Sequence, residues 1–129
     1  MSLLTVPVSV GEVVDKITIL KIKLKHIENP EKKLNVQKEY DFLTSICEKN
    51  SVNLDDSLFH ELYECNQSLW NIEDDIRAKE KEKKFDDEFI ELARSVYIRN
   101  DERYEIKRRV NLFYKSELIE EKNYAQYLS

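Results

Sequence analysis

Apolar residues recur in alternating threes and fours along most of the chain, the spacing of one face of an α-helix. The longest such run is Phe85 to Ser116, which holds no Pro or Gly and predicts a single helix of about 45 Å. Its stripe is Phe89, Leu92, Val96, Arg99, Arg103, Ile106, Val110 and Phe113, a seam that should face partner helices. The middle of that seam is cationic, with Asn100 beside it, where apolar residues would be expected. Asp86 is placed to cap the start, with Phe85 and Ile90 as a hydrophobic staple.

The remaining elements follow from the same pattern. LLTVPVS is β-prone and contains Pro7, so it predicts an extended N-terminal arm. Ser9 to Glu12 form a capping box that opens a helix running to about Ile27. Its main seam is Val10, Val13, Ile17, Leu20, Leu24 and Ile27, while Asp15, Ile19 and Ile22 lie on the opposite side. A helix apolar on two sides is buried on two sides, so this is either the central helix of a bundle or a subunit interface. Asn29-Pro30 starts a second helix that ends near Lys49. Asp55 is placed to cap a third, with Leu58, Leu62, Cys65, Leu69, Ile72 and Ile76 inward and a solvated end near Lys83. Tyr124 and Tyr127, in a tail without periodicity, are expected to pack back onto the bundle. The expected fold is all-α: a single domain over 1–129, an antiparallel bundle of about four helices, two shorter and two long.

The short link near Lys84 makes the third and fourth helices antiparallel neighbours. Residues on them are level when their numbers sum to roughly 169, which places Glu73 near Arg99 and Asn100 and Asn66 near Arg103. Asn66, Glu73, Arg99, Asn100 and Arg103 are therefore expected to form a polar layer inside the bundle, flanked by Trp70 and Arg77. Two readings compete. A structural ion-pair network would fix helix register, whereas a ligand pocket would use the two arginines to grip a phosphate or carboxylate. Asp15 carries the same ambiguity.

Composition narrows the function classes. One Gly and two Pro in 129 residues leave little material for the turns of an all-β fold. A net charge of −5 argues against nonspecific nucleic-acid binding, and Lys107-Arg108-Arg109 reads as a solvated face. Cys47 and Cys65 lack paired spacing, so no disulfide framework is expected. Neither a signal peptide nor an apolar run of membrane length is visible, and a cytoplasmic protein is expected. Glu-x-x-His pairs of di-iron bundles are missing, as is zinc spacing of His and Cys. The one Glu-x-x-Asp, Glu12–Asp15, lies upstream of every Glu-x-x-Glu, opposite to the order in helical nucleotide pyrophosphatases. No metal or cofactor is expected.

Four blocks in order, SVGEVVDKITILKIKL, LWNIEDDIRAKE, FDDEFIELARSVYIRNDERYEIKRRVN and EEKNY, resemble an uncharacterised family of small bacterial proteins, a catalogued domain of unknown function. Relatives occur alone or beside glycosyltransferase and tetratricopeptide-repeat modules. The resemblance covers nearly the whole chain except Asn50 to Leu58 and transfers no catalytic residue. It implies a bacterial source and a link to surface-glycan assembly. The expected function is a non-enzymatic protein-interaction module accessory to glycan biosynthesis. The alternative is an enzyme or sensor that binds a small anionic ligand, a sugar nucleotide or carboxylate, at the arginine layer. A homodimer, with Asp15, Ile19 and Ile22 at or near its interface, would cover the second face of the first helix and the surplus length of the long pair.

Overall fold

In a computed structural model describing residues 2–127, each helix begins at a side-chain cap. Ser9 accepts from the Glu12 amide and opens α1, Val10–His26. Asn29 accepts from the Lys32 amide, with Pro30 in the first turn, and opens α2, Pro30–Lys49. Asp56, not Asp55, accepts from the Phe59 amide and opens α3, Ser57–Lys81. Asp55 instead belongs to the preceding turn, where its amide donates to Asn53 Oδ1 at 2.9 Å. Asp86 accepts from the Phe89 amide and opens α4, Asp87–Phe113. The expected staple across that cap does not form: Phe85 and Ile90 are both exposed, and Phe85 meets Phe89 edge-on instead.

Three helices end in the same way. Ser51, Lys83 and Lys115 have φ of 58°, 58° and 53°. The amide three residues past each helix end reaches back to a carbonyl in the last turn: Val52 to Cys47, Lys84 to Lys79 and Ser116 to Asn111. This is the Schellman closure, usually built on glycine. α4 therefore stops at Phe113, short of the expected Ser116, and its last turn is closed by that residue. Tyr114 then ties the α2–α3 connection to this end. Its hydroxyl donates to Asp56 Oδ2 at 3.0 Å and accepts from the Asn53 amide at 3.0 Å.

The four helices form an all-α bundle, with no strand among the described residues. α1 packs on α2, α3 and α4, whereas α2 lies along α1 and reaches the shared core through Cys47. α1 is thus the central helix, and its two buried faces have different covers. The core joins Val14 and Ile17 of α1 to Cys47, Phe59, Leu62, Cys65, Ile106 and Val110.

α1 is too short to cover the α3–α4 hairpin. Its 17 residues span about 25 Å, against about 37 and 40 Å for the 25 and 27 residues of α3 and α4. No residue from Trp70 through Glu105 is fully buried. Along this arm Ile72, Ile76, Phe89, Leu92 and Val96 are all half-buried, because only two helices are present to enclose them. Lys79 closes the arm's tip by pairing with Asp86 at 2.9 Å and Glu88 at 3.1 Å.

Candidate functional site

Asp15 is the centre of a buried polar cluster. It sits on the face of α1 turned toward α3 and α4 and is 2% exposed. Its Oδ1 accepts from Arg103 Nε at 2.9 Å and from Asn66 Nδ2 at 2.9 Å, while its Oδ2 accepts from Arg103 Nη2. Asn66 Nδ2 also donates to Thr18 Oγ1 at 2.8 Å, and Thr18 Oγ1 donates to the Asp15 carbonyl at 2.6 Å. A carboxylate this enclosed requires a cation and full hydrogen bonding, and three helices supply both. The hydrogen bonds it donates to Asp15 hold Arg103 above its ordinary range, outweighing the opposing effect of burial. Arg103 is not fully enclosed: its side chain is 29% exposed, and Nη1 has only Asn100 Oδ1, at 3.5 Å.

A second polar cluster locks the start of α1 to the end of α4. The first amides of a helix have no partner inside it. Here the Val10 amide donates to Ser116 Oγ at 3.1 Å and the Gly11 amide to Asn111 Oδ1 at 2.6 Å, while Glu12 uses Ser9. Gly11 makes the approach possible, since a Cβ there would lie 2.6 Å from the Lys107 carbonyl and 2.9 Å from Asn111 Oδ1. The chain's sole glycine therefore serves a helix contact and no turn. One turn before Asn111, the buried Lys107 ammonium pairs with Glu12 at 2.8 Å and Glu120 at 3.2 Å. Burial pulls Lys107 down, but Glu12, Asp15 and Glu120 together outweigh it and hold the ammonium above its ordinary value.

The expected polar layer is rearranged in the structure. Asn66, Asn100 and Arg103 do come together, but Asp15 of α1 is the acid at their centre. Glu73 does not reach Arg99 or Asn100; it pairs with Arg77 at 3.1 Å, one turn along its own helix and in solvent. Arg99 pairs with Glu102 at 2.9 Å, also at the surface. The reason is geometric: counting outward from the hairpin compares only α3 with α4, whereas α1 crosses both and delivers a nearer carboxylate. Lys107 belongs to no solvated basic patch, although its neighbours Arg108 and Arg109 do pair at the surface with Glu121 and Glu61. Of the residues considered for an interface, Asp15 is enclosed and Ile22 is 1% exposed, both packed inside one chain. Ile19 is half-buried and lines a groove.

That groove, about 540 Å³, runs between Ile19 and Ile22 of α1, Leu69 and Trp70 of α3, and Asn100 and Arg103 of α4. Glu73, Asp74 and Arg77 rim it, so its charges nearly cancel. Tyr97 does not line it and meets Tyr127 of the returning tail. Trp70 stacks on His26 with ring centroids 5.1 Å apart. Burial pushes both Cys47 and Cys65 thiols up, which disfavours the nucleophilic thiolate. Among the described residues no group of three or more His, Cys, Asp or Glu could hold a metal ion, and no helix is long and apolar enough to cross a membrane.

The fold and site define an all-helical bundle built around a buried Asp–Arg–Asn layer, with a two-helix arm projecting from it. The chain belongs to a family of unknown function, DUF6165, whose profile matches residues 4–129. No curated protein and no solved structure matches it.

Proposed function

We propose that this protein is a non-enzymatic interaction module that acts as a homodimer, with the α3–α4 arm as its docking surface. The observation that carries the proposal is the apolar stretch of the arm's seam, Ile72, Ile76, Phe89, Leu92 and Val96, which is half-buried throughout. A second copy is the occupant that fits. Two arms related by a twofold axis supply the four-helix cross-section that each arm lacks, and each presents the same surface to the other. The Lys79 ion pairs hold the arm closed at its tip, so docking orders little that is not already ordered. Asp15 has its acceptors filled by protein groups, which supports a structural role for the layer over a catalytic one. The proposed setting, accessory to surface-glycan biosynthesis in the bacterial cytoplasm, rests on the family resemblance.

Sedimentation equilibrium at high micromolar concentration tests this reading. The wild type should be a dimer, and the double variant Ile76→Glu, Leu92→Glu should be a monomer with its helical circular dichroism retained. A strictly monomeric wild type overturns the proposal.

A further inference from the structure

The geometry points to an oxyanion-binding cavity with the chain's own tail as one wall, from which Glu120 now pairs with one of its cations. After α4 the chain leaves helix and returns along that helix as a strap. Glu120 meets Lys107 at 3.2 Å and Glu121 meets Arg108 at 2.9 Å. The Lys122 ammonium lies 5.3 Å from the Tyr104 ring centroid, and the Tyr127 ring lies 5.0 Å from that of Tyr97. From Glu117 to Tyr127 every residue except Lys122 is exposed. Of its two ion pairs, Glu121–Arg108 is exposed on both sides and contributes about 1 kcal/mol or less, while Glu120 keeps 41% of its side chain in water even as it meets the buried Lys107.

Beneath the strap is a small cavity of about 260 Å³ whose lining includes Arg103, Lys107, Lys122, Asn100 and Tyr104. It differs from the larger groove in chemistry, because three cations converge here. Lys107 is enclosed, its side chain 8% exposed, and a buried ammonium needs anionic partners. Glu12 is one and belongs to the helical framework; Glu120 is the other and is carried on the strap. With Glu120 withdrawn, Arg103, Lys107 and Lys122 face only the carboxylates of Glu12 and Asp15. That leaves an excess of one positive charge, which an incoming oxyanion would neutralise. Arg103 Nη1, with its single long contact to Asn100, and the Lys122 ammonium keep donors for it. The cavity is small and lined by cations, which suits a compact anion, so the ligand is a phosphate monoester or a small carboxylate. Glu120 is its internal competitor.

The test is 15N NMR titration of the full chain with inorganic phosphate and, separately, with acetate, at constant ionic strength. The expected shifts are confined to Arg103, Lys107 and the strap around Glu120, and the stronger of the two probes identifies the ligand's chemistry. Glu120→Gln removes the competitor and should bind about tenfold more tightly than wild type, because a blocked site lowers apparent affinity by the fraction of time it is open. Lys122→Met, which removes the one cation of the cavity carried on the strap, should weaken binding in both backgrounds. Equal affinity in wild type and Glu120→Gln, or no localised shift with either anion, overturns the inference.

Discussion

Asp15→Asn and Arg103→Met should both destabilise the fold, and the arginine variant should lose more. The pair joins α1 to α4 through two hydrogen bonds to a carboxylate that is 2% exposed, with a third bond from Asn66. Breaking a buried ion pair by removing one partner costs about 3–5 kcal/mol, mainly because the other charge is stranded. Which end of that range applies depends on what the stranded group can reach. With Asp15 neutralised, Arg103 still has 29% of its side chain in water and can rehydrate through the groove, so the loss should be near 3 kcal/mol. With Arg103 removed, Asp15 keeps only Asn66 and no solvent, and the loss should approach 5 kcal/mol. Urea unfolding followed by circular dichroism at pH 7 measures both quantities. Losses below about 1 kcal/mol for both variants would mean that the pair is effectively solvated, and the buried layer would not be what holds α1 in place.

Gly11→Ala should destabilise by about 1–3 kcal/mol through overpacking against α4, although helix propensity alone favours alanine by about 1 kcal/mol; a raised melting temperature would show that the two helices can separate freely there. Glu73→Ala should cost under about 1 kcal/mol, because its Arg77 partner is solvated, and a larger loss would restore it to the buried layer. Stability should decline above about pH 8.5 and more steeply through pH 10–11. Cys47, Cys65 and Tyr114 are pushed up by burial, and Lys107 by its acidic partners despite burial. In each case the folded chain holds a proton that the unfolded chain has released, so unfolding gains as pH rises. Denaturant midpoints unchanged from pH 8 to pH 11 would contradict those environments.

Helices and most caps were legible because they are local: Ser9, Asn29-Pro30 and Asp86 each act within one turn of themselves. Asp55 and Asp56 are adjacent, and local pattern does not distinguish two equally good caps. The pairing of α3 with α4 was legible from the shortness of their link, which brought Asn66, Asn100 and Arg103 to one level. The partner acid was not, since the crossing of α1 over both helices is set by tertiary packing. A signal did exist in the fourfold spacing of Arg103, Lys107 and Asn111, a polar stripe next to Ile106 and Val110. It was hidden because Lys107 stands beside two surface arginines and because Phe113, taken as the end of the seam, is exposed at the helix terminus. Gly11 looked like part of a cap, and only the distance to α4 shows why no side chain fits.

α2 runs its length along α1 and reaches the core shared with α3 and α4 through Cys47, an asymmetry that should let it open as a separate unit. Opening α2 would break the Lys16–Glu39 pair and uncover the core at Cys47 but none of the contacts that Asp15, Gly11 and Glu12 make with α3 and α4. Native-state hydrogen exchange should accordingly find α2 amides exchanging through a partial unfolding of lower free energy than the rest, with α1, α3 and α4 exchanging together only when the whole chain unfolds. That outcome would make the smallest folding unit a three-helix one, with α2 as an attached layer.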